Sequence, residues 1–240
     1  MLCEYLFRPA AQVVAVALVP LRVPPPAVVL ANFATGLAAA LALAGGHFIW
    51  AAVLLQAKTV LDNADGQLAR MTGRTSVLGR YLDSECDLVS DAAVCAALGY
   101  VTSWWVGAVA FVCLTLVLSV NYNVERLYRR ELGEPAEATP HAPGRARLLE
   151  RFYALVYAPQ DRLVERYAER RLRGASHAER LAWHDRATVS VVANFGLSTQ
   201  LFVLGACLVA GSPAAYAWVA AASFLALIPL ALRRERLRRR

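Results

Sequence analysis

Six stretches of this chain, at 27–44, 48–69, 82–101, 104–124, 187–210 and 213–232, are apolar and long enough to cross a bilayer. Such a crossing takes about 20 mainly apolar residues in a helix. The pattern therefore predicts an all-α integral membrane protein with six transmembrane helices. Composition agrees, since 58% of the 240 residues are hydrophobic and the mean hydropathy is +0.43, too apolar for an ordinary soluble domain. Pro24-Pro25-Pro26 stands before the first span, where proline can open a helix that it could not continue. Residues 1–23 carry a shorter apolar run, VVAVALVPL. A signal peptide would want a stronger basic lead than Arg8 beside Glu4, and Pro20 breaks the run, so an N-terminal interfacial amphipathic helix is expected instead.

The turns between spans one and two (GGH), three and four (TSW) and five and six (GSP) carry no lysine or arginine. Arg70, Arg74 and Arg80 lie between spans two and three, an arginine-rich stretch follows span four, and the chain closes on RRERLRRR. Positive charge marks the cytoplasmic side, which puts both termini and the 70–80 turn in the cytoplasm of a bacterial-type membrane. The layout is then 1–26, a cytoplasmic interfacial helix and lead-in; 27–124, spans one to four; 125–186, an Arg-rich cytoplasmic segment; and 187–240, spans five and six with a basic tail. The net charge of +7 comes almost wholly from arginine, Lys58 being the single lysine. In so apolar a chain this suits anionic lipid or phosphate, and nucleic acid is not expected as a partner. Cys3, Cys86, Cys95, Cys113 and Cys207 show no paired spacing and imply neither a disulfide nor a thiolate metal site.

Against this apolar background Leu61 to Asp87 reads LDNADGQLARMTGRTSVLGRYLDSECD. It joins the cytoplasmic end of span two to the start of span three. Asp62 and Asp65 are three apart and Asp83 and Asp87 four apart, so each pair projects from one face of its helix. Carboxylates crowded in a partly desolvated cleft repel one another. Hard divalent cations with oxygen ligands relieve this most simply, and two would neutralise four acids. Gly66 and Gly79 remove side chains one turn from the acids, Ala69 keeps the same wall low, and Arg70 sets a planar fork of donors beside the cluster, which suits phosphate.

Asp62, Asp65, Gly66, Ala69, Arg70, Gly79, Asp83 and Asp87 fit, without gap or substitution, the pattern D-x-x-D-G-x-x-A-R-x8-G-x-x-x-D-x-x-x-D. In this the chain resembles the CDP-alcohol phosphotransferase (CDP-alcohol phosphatidyltransferase) family, over about a ninth of its length; the six-helix layout and N-terminal segment are similar to that family more generally. Where many members have a Pro-Asn and a threonine leading into helix one, this chain has Pro26-Ala27-Val28-Val29. The resemblance implies transfer of a phosphate-linked group from a CDP-alcohol to a second alcohol with release of CMP. It implies two divalent cations, Mg2+ or Mn2+, held by Asp62, Asp65, Asp83 and Asp87, with Asp87 also the catalytic general base. Asp62, Gly66, Ala69, Arg70 and Gly79 would bind the CDP-substrate, and the family implies a homodimer. Metals between carboxylates and diphosphate would neutralise developing charge and align attack on phosphorus.

Chain length favours a phospholipid-synthesising reaction, from CDP-diacylglycerol to a small polar alcohol or alcohol phosphate such as inositol phosphate or glycerol phosphate. Arg80, Arg126 and Arg129, at cytoplasmic helix ends, are candidates for an acceptor phosphate, although arginines there also serve as topology determinants. An alternative is a CDP-choline or CDP-ethanolamine phosphotransferase with a diacylglycerol acceptor, whose members usually have more helices. Prenyltransferases use a different aspartate spacing. A cation transporter would want acids at mid-membrane depth on several helices, and spans one, four, five and six have none in their interiors. Asp91 continues the Asp83, Asp87 face and reads either as support for those ligands or as a partner of Lys58. His47, His141, His177 and His184 fall in a turn, a loop and interfacial positions, and no chemistry is expected of them. Trp104, Trp105 and Trp183 read as interfacial anchors. Ser176-His177-Ala178-Glu179 has capping-box form and predicts a short helix through Trp183.

Overall fold

In a computed structural model, residues 6–134 and 146–238 are described, apart from the side chains of Val77 and 146–156. Among these residues every regular element is a helix. They are α1 (Arg8–Leu18), α2 (Pro25–Ala44), α3 (Phe48–Met71), α4 (Val77–Val101), α5 (Trp104–Glu131), α6 (Ala146–Arg171), α7 (His177–Trp183), α8 (Arg186–Ala193), α9 (Leu197–Val209), α10 (Ala215–Leu225) and α11 (Leu227–Arg238).

Local chemistry sets many of the boundaries. Pro24 is extended and leads α2 off with prolines whose missing N–H groups would have gone unbonded in a first turn anyway. Gly46, at φ +75, turns the chain from α2 into α3, and Gly73, at φ +64, ends α3 in the same left-handed conformation. Ser76 Oγ then accepts the Gly79 N–H at 3.0 Å and caps α4. The expected capping box is present: Glu179 N donates to Ser176 Oγ at 3.3 Å, and Ser176 N donates back to Glu179 Oε2 at 2.7 Å.

From neighbour to neighbour the long helices run α2, α3, α9, α10, α5, α4 and back to α2, a closed ring. All six contribute to its apolar filling, in which Leu43, Leu55, Leu98, Leu114, Leu201, Leu204, Leu208 and Tyr216 are buried. The α4–α5 contact is the tightest: a Cβ at Gly107 would fall 2.4 Å from the Cys95 carbonyl oxygen and 2.9 Å from Gly99 Cα. Such backbone approach between helices depends on residues without side chains. Outside the ring, α1 lays Ala11 and Ala15 against α3 and leaves Val13 and Val16 exposed.

Four helical stretches among the described residues are long and apolar enough to cross a membrane: Pro25–Ala44, Trp104–Glu131, His177–Val209 and Ala215–Arg238. The other two expected spans, α3 and α4, have 24 and 25 residues, enough for about 36 Å at 1.5 Å per residue. They differ by composition. Charges fill the second half of α3, from Lys58 to Arg70, and the first half of α4, from Arg80 to Asp91.

Trp183 departs from its expected role as a membrane anchor. It is 1% exposed, packed with Leu127, Ala168 and Leu172, while Trp104 at 80% and Trp105 remain on the surface. Arg234 of α11 lies 3.6 Å over its ring and donates Nε to the Trp183 carbonyl at 2.9 Å, and Glu235 accepts the indole N–H at 3.2 Å. Stacking on the guanidinium and full bonding of the indole outweigh what an interfacial site would offer. His184, beside it, meets Arg234 Nη2 through Nδ1 at 2.9 Å.

Candidate active site

The charged halves of α3 and α4 follow each other across the short 72–76 turn, so they lie at the same end of the ring. The backbones of α3 and α4 stay apart while α2 packs along both, so the two helices meet through their side chains. The acids of the two helices therefore face a cleft with α2 as its floor. One carboxylate oxygen from each of Asp62, Asp83 and Asp87 comes within 4.8 Å of the other two. Asp65 stands outside that group, one turn along α3, buried and with Oδ2 unpartnered. Asp83 Oδ1 is likewise buried without a partner. Unpaired anionic oxygens in a desolvated cleft are costly unless a cation completes them, and an all-oxygen set suits Mg2+ or Mn2+. The residues present thus fit a divalent cation.

The neighbouring motif residues also have local explanations. The Arg70 guanidinium folds back over Gly66, where a Cβ would meet Nη1 at 3.4 Å, an ordinary contact. No protein atom accounts for the missing side chain there. Gly79 is different: a Cβ would stand 3.0 Å from Ser76 Oγ, so its bareness also spares the cap of α4. Ala69 is half-buried on the same helix.

Lys58 lies between Asp87 and Asp91. Wholly buried, it donates Nζ to Asp87 Oδ1 at 2.7 Å, and Asp91 Oδ1 lies 3.9 Å from Nζ. Asn32 of α2, also fully buried, donates Nδ2 to the same Asp87 oxygen at 3.2 Å. Sequence reasoning missed Asn32, although a lone amide within an apolar span was a visible signal. It also missed Glu85, which is buried with both carboxylate oxygens unpartnered and points about 200° around α4 from Asp83 and Asp87. Beyond it stands α6. Burial, then the negative charges of Asp91, Asp87, Glu85 and Asp161, push the Tyr157 phenol up, so this helix flanks the acidic site.

The three arginines considered for an acceptor phosphate differ. Arg126 Nη2 bonds Asn123 Oδ1 at 2.8 Å and Glu165 Oε1 at 2.7 Å, while its buried Nε has no partner. Arg129 pairs with Glu125 on its own helix at 2.5 Å. Arg80 stands in the first turn of α4, close to the acids in sequence.

Comparison with known proteins agrees with this geometry. Residues 22–156 match the family described as CDP-alcohol phosphatidyltransferase. The chain is 34% identical over 87 residues to the phosphatidylinositol phosphate synthase of Corynebacterium glutamicum, covering 32% of this chain and 38% of that one. It is 35% identical over 102 residues to the bifunctional IPC transferase and DIPP synthase of Thermococcus kodakarensis, covering 40% and 23%. With the archaetidylinositol phosphate synthase of Pyrococcus horikoshii it shares 39% over 77 residues, covering 31% and 39%. In each case the chain spans less than half the length of the relative it matches. A family match over more than half the chain, on a fold that brings the motif's aspartates together, shows that this protein belongs to the CDP-alcohol phosphatidyltransferase family.

Proposed function

We propose that this protein makes phospholipid by transferring a phosphatidyl group from CDP-diacylglycerol to a polar alcohol phosphate, with inositol phosphate the first acceptor to try. The observation that carries the reaction class is the meeting of Asp62, Asp83 and Asp87 within 4.8 Å in a cleft edged by Arg70. The names of the Corynebacterium and Pyrococcus relatives, both inositol phosphate lipid synthases, support the choice of acceptor.

In this reading Asp62, Asp65, Asp83 and Asp87 hold two divalent cations, Mg2+ or Mn2+. When bound, such cations neutralise the charge that develops on a diphosphate as it is cleaved. Arg70 takes diphosphate oxygens on its fork, and the bare wall at Gly66 and Ala69 admits the nucleotide. The acceptor hydroxyl attacks the phosphorus that bears the diacylglycerol. Its proton passes to Asp87, a new phosphorus–oxygen bond forms, and the bond to the CMP oxygen breaks with its electron pair leaving on CMP. Arg80, Arg126 and Arg129 are the candidates for the phosphate of the acceptor, and Arg126, whose buried Nε has no partner, is the first to test.

The same reading takes α3 and α4 as spans two and three, so that six helices cross the membrane and the cleft opens to the cytoplasm. The arginine asymmetry of the turns supports that orientation. The protein acts as a homodimer, as the family resemblance implies. The test is direct: purified protein with CDP-diacylglycerol, Mg2+ or Mn2+ and inositol phosphate, glycerol phosphate or free inositol should release CMP and form the matching lipid. CMP-free incubations with every acceptor would overturn the reading.

A further inference from the structure

Two donors converge on one atom of Asp87. Lys58 Nζ, at 2.7 Å, and Asn32 Nδ2, at 3.2 Å, both bond Oδ1, and neither bonds Oδ2. Each donor comes from a different helix and each is fully buried. Room for the lysine is provided by Gly36 of α2, where a Cβ would come 3.1 Å from Lys58 Cε and 2.7 Å from Ser90 Cβ. Asp91, one turn deeper on α4, lies 3.9 Å from Nζ. The Lys58–Asp91 pair therefore adds no net charge beside the acids that face the cleft. An ammonium buried for neutrality alone would need only one carboxylate; here it also bonds the residue assigned to take the proton, and an uncharged amide reinforces that bond at the same oxygen.

We propose that Lys58 is a positioning residue, which together with Asn32 fixes Asp87 by Oδ1 so that Oδ2 is the oxygen presented to the cation site and the acceptor hydroxyl. The role of Asp87 in this statement rests on the transferase reading, whereas the clamp itself can be tested without it. Groups that orient a metal-binding side chain typically matter by about 10–100-fold in activity or metal affinity.

The decisive variant is Lys58→Met combined with Asp91→Asn, which removes the clamp while keeping the net charge of the site. Two readouts apply: steady-state CMP release, and Mn2+ affinity of the purified protein followed by electron paramagnetic resonance. The clamp predicts that kcat falls about tenfold or more while KM for CDP-diacylglycerol changes less than about twofold, and that Mn2+ binds about tenfold more weakly. A double variant with wild-type kcat and wild-type Mn2+ affinity would show that the lysine serves charge balance in folding, and would overturn the proposal. Asn32→Leu, which alters no charge, reads the same clamp if the double variant does not fold. It should lower both quantities by about threefold or more, from the loss of one hydrogen bond to a charged group, and unchanged values would again refute the clamp. Should the wild-type protein release no CMP, the transferase reading fails, and the Mn2+ measurement still decides whether Lys58 positions Asp87.

Discussion

Arg126 of α5 and Glu165 of α6 are joined through a single guanidinium nitrogen: Nη2 stands 2.7 Å from Oε1, and the buried Nε is left without a partner. Both side chains are about one-third exposed, and an ion pair so placed contributes at most about 1 kcal/mol. A ligand phosphate could compete for this arginine. Arg126→Gln should therefore raise KM about tenfold for a phosphorylated acceptor, the loss of one charge-assisted hydrogen bond, and leave KM for CDP-diacylglycerol near wild type. Steady-state kinetics with inositol phosphate and free inositol check this. An equal effect on both acceptors would make Arg126 a strut between α5 and α6.

Asp62 and Asp83 approach each other from different helices, so neither can be replaced by the other. Asp62→Asn and Asp83→Asn should each lower turnover on the order of 10²-fold or more, because each removes an anionic ligand from the shared site. Excess chelator should abolish wild-type activity and added Mg2+ or Mn2+ restore it. Full turnover in chelator would contradict the metal reading.

Asp87→Asn keeps the shape of the side chain and its bond to Lys58 through the remaining oxygen. It should still bind CDP-diacylglycerol, measured by equilibrium binding, while kcat drops by about 10²–10⁴-fold, the usual contribution of a positioned general base. Near-wild-type kcat would place the base elsewhere.

Gly107→Ala tests the ring and not the site. The added methyl would sit 2.4 Å from the Cys95 carbonyl, so α5 must move away from α4 or distort. A cost of about 1–3 kcal/mol is expected, read as a lower thermal midpoint in detergent. An unchanged midpoint would mean that this contact is looser than its geometry.

The acidic motif was legible because helix periodicity alone fixes which residues share a face, and three of its four aspartates do converge. What the sequence could not supply is which third helix closes the cleft. Asn32 lies 55 positions from the aspartate it bonds, and no spacing rule links them. Lys58 could be seen to need a counter-charge, but not that it would bond Asp87 in preference to the deeper Asp91. Trp183 misled for a related reason: tryptophan near a span end suits an interface, and only the return of α11 brings Arg234 over its ring. The six expected spans met the opposite difficulty, since α3 and α4 have the length of a crossing but spend their charges on the site.

The closure of the helix ring ties the family-matched part of the fold to helices outside it. The matched residues, 22–156, supply α2 to α5, yet the flank of α3 that turns away from α2 is sealed by α9, which lies beyond them. That seam is specific in detail: Gln56 Nε2 bonds the Leu201 carbonyl at 3.3 Å over Gly205, where a Cβ would come within 2.6 Å of it, and Asn63 Nδ2 reaches Ser198 Oγ at 3.4 Å. Asn63 adjoins Asp62. A chimera that grafted the last two spans of a relative onto this chain would keep every motif residue and still tilt the helix that carries five of the eight, unless glycine and serine were retained at 205 and 198.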